Sequence, residues 1–348
     1  MNKQQWKALS LSVQCKNAAL SCGMIVDSPW IPGYCGLTNI DFYVNPEKWY
    51  DAYMKIRRDF PDLILLPDWW VEYGMATEAA SFGCRIEFFD DNLPVVHHIY
   101  EEIDDLVENG APKIPDLRKS GLTPFVLNLQ RLVQPKLLDQ GDDHRIVCAR
   151  GPLTIASHLI SVSELMVGVK LEPDAVHKLF KVTSAVTKQW LELQMENVKN
   201  AKGIMVLDDV CGFLGKEDFE EFAEPYLKDI YAAFPGVMHL FHNDSDNDVC
   251  YPYLEGIGIE AYNPTYKKNI ANMRKQLGPN VCIIGNIPPM SLVRETPERV
   301  AEITHETIAE YVKANGSVSG LILSTGGGAP MGARQDTIDA MIAATKNY

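Results

Sequence analysis

The sequence predicts a single (β/α)₈ barrel, the TIM-barrel class of α/β fold, with residues 1–348 forming one domain. Eight short apolar runs have the continuous hydrophobic character of buried parallel strands, and helical patterns separate most of them. Polar residues gather where these runs end, as expected at the active end of a barrel. A doubly wound open sheet is the alternative. It requires a glycine-rich nucleotide loop after the first strand, whereas the glycine cluster Thr325–Gly328 follows the last one.

The eight predicted strands are bounded by turn residues or by polar side chains. In order they are Gly23–Asp27, Leu63–Asp68, Ile146–Gly151, Gly203–Asp209, Val237–Asp244, Gly258–Asn263, Val281–Asn286 and Gly320–Gly326. The helical patterns between them include Pro173–Asn197, with apolar residues at helical spacing, and Pro297–Asn315, which ends on a stop signal before Gly316.

One long stretch, Glu72–Asp143, separates the second predicted strand from the third. It contains two runs typical of a β-hairpin, Cys84–Phe89 and Pro94–Tyr100, followed by a connection rich in Pro, Asp and Gly. We interpret this stretch as an insertion between strands 2 and 3 that decorates the barrel mouth. No linker or low-complexity tract marks a second domain.

The composition excludes several classes of function. With 46% hydrophobic and 22% charged residues the chain is typical of a soluble globular protein, and its net charge of −14 argues against a nucleic-acid partner. The eight cysteines lack the spacing of a zinc or disulfide framework. The first residues contain no apolar leader, and no window reaches the length of a membrane span. We expect a reduced, cytoplasmic protein with no membrane association.

His242 is the strongest single candidate for the site. On the strand Val237–Asp244, His242 and Asp244 share a face with Leu240, whereas His239 lies on the opposite face. His242 and Asp244 are therefore expected to converge on the mouth, as a metal half-site or as an acid/base pair. The alternative is a hydrogen-bonded pair that merely ends a strand.

Several other polar or aromatic residues are candidates. One of Asp208 and Asp209 should point inward whichever way the pleat runs, or the pair could cap the helix that starts near Lys216. Glu221 falls opposite the apolar face of that helix, which favours solvent exposure. Further strand ends carry Asp27, Asp68, Arg150 and Asn286, and the aromatic pair Trp69–Trp70 follows Asp68, where it would suit a flat organic substrate.

The order of motifs resembles the uroporphyrinogen decarboxylase superfamily, over nearly the whole chain. The motifs are Leu-Ile-Leu-Leu-Pro-Asp68, Ala-Arg-Gly-Pro-Leu-Thr154, Phe219-Glu-Glu-Phe222 with Pro225-Tyr226, the strand with His242, Ile-Gly-Asn286-Ile-Pro and Thr-Gly-Gly-Gly-Ala-Pro330. The resemblance implies a (β/α)₈ barrel, in agreement with the strand count. It also makes Asp68 the match to the essential aspartate of the decarboxylases.

The resemblance leaves three activities to weigh. Decarboxylases hold porphyrinogen carboxylates with arginines after the first strand, and the corresponding segment Ser28–Gly36 has none. Methyltransferases acting on coenzyme M hold zinc with His-x-Cys and a later Cys, but Asp244 and Gly327 stand in the two cysteine positions. The third set demethylates phenyl methyl ethers such as vanillate or veratrol and passes the methyl group to a corrinoid protein. The chain is most similar to this set.

For the third set the resemblance implies a zinc motif of two glutamates and a histidine. Glu221 and His242 fit its spacing, but the first glutamate would fall at Val206, so Asp208 or Asp209 would have to substitute. We therefore expect catalysis by His242, Asp68 and Asp244, zinc binding by His242, Glu221, Asp208 and Asp209, and substrate binding by Trp69, Trp70, Arg150 and Asn286. A partner protein would supply the corrinoid. A His/Asp proton donor without metal, or a decarboxylase-like lyase acting through Asp68, are the rivals.

Overall fold

A computed structural model describes residues 1–348 and contains a nearly closed barrel of eight parallel strands. The barrel strands are β1 (Ser21–Ile25), β2 (Ile64–Leu66), β5 (Ile146–Arg150), β6 (Gly203–Leu207), β7 (Met238–Asn243), β8 (Ala261–Pro264), β9 (Cys282–Ile284) and β10 (Leu321–Leu323). Each overlaps one of the eight predicted runs. The predicted fold class is therefore confirmed.

Helices surround the barrel. The α-helices are α1 (Lys3–Val13), α2 (Trp30–Tyr34), α3 (Asn39–Val44), α4 (Pro46–Asp59), α5 (Ala76–Ser81), α6 (Ile103–Asn109), α7 (Thr123–Asp139), α8 (Pro152–Ile160), α9 (Val162–Leu171), α10 (Pro173–Asn197), α11 (Lys216–Phe222), α12 (Glu224–Ala232), α13 (Leu254–Ile257), α14 (Ile270–Leu277), α15 (Ser291–Arg294), α16 (Pro297–Asn315) and α17 (Gln335–Thr345). Short 3₁₀ turns cover Asp209–Phe213 and Tyr251–Tyr253.

The strand order in the sheet is β2-β1-β10-β9-β8-β7-β6-β5, so β2 and β5 are its two edges. Side chains bridge the seam between these edges. The Asp68 carboxylate accepts the backbone N–H of Arg145, and the Glu78 carboxylate accepts that of Arg150 at 2.9 Å. Because barrel strands are tilted and staggered, the end of β2 lies beside the start of β5.

The predicted hairpin is present as the antiparallel pair β3 (Arg85–Glu87) and β4 (Val95–His97). It lies within the stretch that we interpret as an insertion. The insertion, and the organisation of residues 1–348 as one domain, remain predictions.

Two apolar layers follow from the alternation of the strands. A cluster of 16 buried residues fills the barrel interior, and a larger cluster of 80 packs the strands against the helices. Leu9 and Val13 of α1 join the interior cluster and, with Met1, close the end at which the strands start. The opposite end stays open and polar.

None of the helices is by itself long and apolar enough to cross a membrane. The pair α8 and α9 meets the criteria of length and composition only when taken together, and the two are bent by 105°.

Candidate functional site

The open end of the barrel contains a cavity of about 170 Å³ that is partly open to solvent. It is smaller than the roughly 300–1,000 Å³ of sites for drug-sized ligands. Its polar lining comes from the ends of four strands, β1, β5, β6 and β7, and from the loop after β2. The lining residues are Ile25, Asp27, Glu72, Gly74, Met75, Leu93, Arg150, Leu207, Asp209, His242, Asp244 and Gly328.

The pleat of the strands decides which polar residues reach this cavity. Alternate residues of β1, β5, β6 and β7 belong to the barrel interior, ending at Ile25, Cys148, Leu207 and Leu240. The next residues of the same parity point inward as well. They are Asp27, Arg150, Asp209 and His242. The prediction that His242 faces the mouth and His239 the helix layer agrees with this placement, since His239 contacts the Tyr231 ring of α12.

Asp209, His242 and Asp244 form the one cluster in the chain that could hold a metal ion. One ligand atom from each lies within 4.8 Å of the others. The Nε2 atom of His242 is 3.5 Å from Asp209 Oδ1, and that oxygen also accepts the backbone N–H of Asp244 at 2.9 Å. The inward member of the aspartate pair is therefore Asp209, and Asp244 is the second carboxylate.

Asn263 sets the orientation of the His242 ring. The Asn263 amide nitrogen donates to the carbonyls of Ile284 and Thr325 at 2.6 and 3.1 Å, which directs the amide oxygen to His242 Nδ1 at 2.7 Å. When the imidazole is neutral, its proton must lie on Nδ1 to make this bond. The lone pair of Nε2 then faces the cavity, as in metal-binding histidines.

The donor set fits a zinc ion. Two carboxylates and one imidazole are hard and borderline ligands, and three protein ligands leave a coordination position open for catalysis. The Asp244 carboxylate makes no ion pair with a lysine or an arginine within 4.0 Å. Burial raises the pKa of Asp244, and the charge of Asp209 adds to the increase. A dication between the two carboxylates would remove this penalty.

Gly327 leaves the space that Asp244 occupies. A Cβ atom added at Gly327 would lie 2.6 Å from Asp244 Oδ2, and the backbone there has a φ of +117°. A side chain at position 327 would therefore collide with the carboxylate. Asp244 and Gly327 are therefore sterically matched, because the carboxylate fills the space in front of the glycine.

Arg150 and Glu72 form a buried ion pair on the cavity wall. Arg150 Nη2 lies 3.1 Å from Glu72 Oε2 and donates to the Gly74 carbonyl at 3.3 Å. The other oxygen of Glu72 accepts both the backbone N–H and the hydroxyl of Ser28. Arg150 does line the cavity as predicted, but its charge is already matched.

The sequence pattern placed Asp27 among the polar strand ends without giving it a role, and it did not identify Glu72. Asp27 follows the alternation of β1 and was among the polar strand ends, so the signal existed. Glu72 lies beyond the end of β2, where no periodicity applies. Burial raises the pKa of Asp27 well above its ordinary value, and the neighbouring charge of Glu72 adds to this.

Asp208 is not available as a metal ligand. It has the parity of Val206, on the outer face of β6, and its carboxylate accepts the backbone N–H groups of Leu153 and Thr154 and the Thr154 hydroxyl. These are the first residues of α8, so Asp208 caps a helix, although not the one that starts at Lys216. Burial raises the pKa of Asp208 to about 7.

The prediction that Glu221 binds the metal is wrong. Its side chain is 59% exposed and lies 3.3 Å from His177 on the outer surface of α11. The helical phase predicted this exposure, whereas the spacing implied by the resemblance did not.

Asp68 does not face His242 across the mouth, contrary to the prediction. The backbone turns at this residue, where φ is +103°, and the buried carboxylate pairs with the N-terminal ammonium of Met1 at 2.7 Å and with Arg57 at 2.5 Å. The stagger of the barrel brings these groups together at the seam, away from the cavity.

Three residues that were predicted to contact the substrate also do not line the cavity. Trp69 is fully buried against Trp49, Tyr50 and Tyr53 of α4, so it belongs to the helix layer. Trp70 joins the barrel interior beneath Arg150, whose guanidinium carbon is 5.0 Å from the ring centre. The amide of Asn286 donates to two carbonyls of the loop after β8, at residues 265 and 268, and does not line the cavity.

Comparison with known proteins gives consistent relatives. Residues 38–348 match the family model described as uroporphyrinogen decarboxylase (URO-D). A uroporphyrinogen decarboxylase of Anaeromyxobacter sp. (strain Fw109-5) is 28% identical over 68% of this chain and 67% of its own length. One of Chlorobium phaeobacteroides is 26% identical, but the match spans only 44% of that protein.

Among solved structures, a methyltransferase from Methanosarcina mazei superposes with a TM-score of 0.79 over 97% of both chains, at 18% identity. A B12-independent methionine synthase from Shewanella sp. W3-18-1 gives a TM-score of 0.57 at 11% identity, over 95% of this chain and 98% of its own. At these identities the likeness shows the shared barrel fold.

Proposed function

Because the chain belongs to the uroporphyrinogen decarboxylase family, we propose a function within that family: it demethylates a methoxylated aromatic compound and transfers the methyl group to the cobalt(I) of a corrinoid protein. The proposed substrates are phenyl methyl ethers of the vanillate or veratrol type. The corrinoid belongs to a partner protein, and neither nucleic acid nor membrane takes part. The proposal includes a cytoplasmic location, which agrees with eight unpaired cysteines.

The observation that carries the proposal is the cluster of Asp209, His242 and Asp244 at the cavity. In the proposed reaction the methyl C–O bond breaks and its electron pair stays on oxygen. Cobalt(I) supplies the two electrons of the new cobalt–carbon bond and becomes cobalt(III). The phenolate leaves poorly near neutral pH, because a phenol has a pKa of about 10. The site must therefore stabilise the charge that develops on oxygen.

Three residues of the chain are proposed to hold zinc for this purpose: His242 through Nε2, and Asp209 and Asp244 through their carboxylates. Zinc would supply a Lewis acid for the ether oxygen. Asn263 keeps the His242 ring oriented, and Gly327 leaves room for Asp244. Without metal, a protonated His242 or Asp244 is the rival donor to the phenolate oxygen.

The curated relatives make a decarboxylase the second candidate. Decarboxylation of a porphyrinogen requires cations for its carboxylates. Arg150 is the sole Lys or Arg that lines the cavity, and Glu72 already neutralises it. A coenzyme M-type thiol methyltransferase is less well supported, because its zinc site is rich in thiolates and no cysteine lines this cavity.

The test measures zinc content and O-demethylation together. The purified protein is incubated with a methoxylated aromatic, reduced corrinoid protein or free cob(I)alamin, and a reductant. Free phenol and methylated corrinoid should appear in equal amounts, without carbon dioxide. His242→Ala should lose both zinc and turnover, while the matched surface variant Glu221→Gln keeps both. Full activity of His242→Ala would exclude both the metal-assisted mechanism and proton donation by His242.

A further inference from the structure

Most of the charged side chains that line the cavity are acidic. Four carboxylates, from Asp27, Glu72, Asp209 and Asp244, face a single guanidinium, from Arg150. Lys267 and Lys268, in the loop after β8, do not line the cavity and pair with Asp246, at 3.7 and 3.2 Å. The cavity therefore offers anions no unmatched cation from the chain.

Arg150 is not free to bind a substrate carboxylate. One of its guanidinium nitrogens lies 3.1 Å from Glu72 and 3.3 Å from the Gly74 carbonyl, and its flat face lies over Trp70. The side chain is 7% exposed. Capturing an anion would require breaking a buried ion pair, which is strongly unfavourable.

Two of the four carboxylates have no lysine or arginine partner and accept no hydrogen bond from the protein. One is Asp244, which belongs to the candidate metal cluster, and the other is Asp27. Its two oxygens lie 3.8 and 3.9 Å from the point where a Cβ of Gly328 would be, while Asp244 lies against the adjacent Gly327. Asp27 and Asp244 thus flank the same glycine segment from two sides.

A bound metal ion would match the charge of Asp244 but not that of Asp27. A dication would be matched by Asp209 and Asp244, and Arg150 is matched by Glu72, so Asp27 alone is left over. Burial and the charges of Glu72 and Asp244 raise the pKa of Asp27. An ammonium group bound beside Asp27 would favour its ionised form, a hydroxyl group could share a hydrogen bond with it, and an anion would add a further negative charge to a cavity already lined by carboxylates.

From this balance we infer that Asp27 determines substrate specificity, selecting methyl donors that lack an anionic group and favouring those with an ammonium or hydroxyl substituent. This inference rests on the proposed function and narrows it. Among phenyl methyl ethers, carboxylated compounds such as vanillate become the poor substrates, and uncharged or cationic ones the good ones.

A matched set of three ethers tests the inference: 4-methoxybenzoate, 4-methoxybenzyl alcohol and 4-methoxybenzylammonium, which differ in charge at one carbon. Equilibrium binding to the purified protein is measured by calorimetry, independently of turnover. We expect the benzoate to bind at least about tenfold more weakly than the alcohol, because like charges across a site oppose association. Equal or tighter binding of the benzoate overturns the inference, and so does failure of all three ethers to bind.

The variant Asp27→Asn adds a second readout. It should weaken binding of the ammonium compound about tenfold relative to the alcohol, because the ammonium group loses the carboxylate that it would pair with. The matched control is Asp246→Asn, which removes one exposed negative charge outside the cavity and should leave the order unchanged. If Asp27→Asn does not fold, the order of binding in the wild-type protein still decides. Demethylation of the same ethers is assayed separately, so that binding without methyl transfer contradicts only the proposed function.

Discussion

The Nδ1 atom of His242 lies 2.7 Å from the amide oxygen of Asn263, and this contact decides which nitrogen the cavity receives. Asn263 cannot rotate to offer its amide nitrogen instead, because that nitrogen already donates to the carbonyls of Ile284 and Thr325. Three strands, β7, β8 and β9, are thereby tied to one imidazole. A residue that does not line the cavity thus sets the orientation of one that does.

Asn263→Ala is expected to lower zinc affinity by about 10- to 100-fold, the usual effect of losing a partner that orients a metal-binding histidine. Competition with a chromophoric chelator measures the affinity. Circular dichroism must show that the variant is folded, since it leaves two buried carbonyls without a donor. Wild-type zinc affinity in a folded variant would contradict the role assigned to Asn263.

Gly327→Ala is expected to reduce zinc binding and methyl transfer, because the new Cβ would lie 2.6 Å from Asp244 Oδ2 and displace it. The matched control is Gly332→Ala. It has a similarly strained backbone, with φ of +85°, but the nearest atom to its Cβ is a methyl group of Val293 at 3.7 Å. Both variants should lose stability through strain, and only the first should lose zinc. Equal zinc contents would argue against Asp244 as a ligand.

The adjacent aspartates should give opposite phenotypes. Asp208→Ala is expected to lower the free energy of unfolding by about 1–3 kcal/mol, since it removes the cap of α8, and to keep zinc. Asp209→Ala should lose zinc with little change in stability of the metal-free protein. Denaturant titration and metal analysis of both variants distinguish the roles. Exchanged phenotypes would reverse the assignment.

Acidification should destabilise the protein through His144. Burial lowers the pKa of His144 to about 4, whereas an unfolded histidine titrates near 6.5. Between these values the unfolded chain binds a proton that the folded chain does not, so the free energy of unfolding falls as the pH drops. The loss from this one group is about 2 kcal/mol at pH 5.

The variant His144→Gln, which keeps a donor for the Ile146 carbonyl, should lack this loss. Asp208 acts in the opposite sense, because burial raises its pKa to about 7 and the folded state binds the proton more tightly between about 4 and 7. The difference between variant and wild type, measured by urea unfolding at pH 7, 6 and 5, removes the Asp208 contribution. A constant difference at all three pH values would refute the effect.

The sequence predicted the barrel and the inward position of His242, because both follow from a strict period of two along buried strands. It could not choose between Asp208 and Asp209, since the phase of the pleat depends on where β6 ends. Glu221 shows a related limit. The helical phase, which is a local property of the sequence, predicted its exposure correctly. A role as metal ligand depends on the distance between α11 and the end of β7, which the sequence does not contain.

The residues after β2 were beyond prediction for a related reason. The chain turns at Asp68, where the alternation stops, so Asp68, Trp69 and Trp70 each go to a different part of the molecule. Their destinations depend on the stagger of the barrel, which brings the end of β2 beside the start of β5. Glu72 reaches Arg150 only because of that arrangement.

The seam between β2 and β5 gives the barrel a preferred place to open. Elsewhere the strands are joined by ladders of backbone hydrogen bonds. At the seam, the carboxylates of Asp68 and Glu78 each accept a hydrogen bond from one backbone N–H of the facing segment. Native-state hydrogen exchange should therefore report these two amides among the first of the barrel to lose protection. The barrel is in this sense a sheet whose two edges are held together by side chains. These contacts lie next to the Arg150–Glu72 pair, so local opening of the seam would disturb the cavity wall directly.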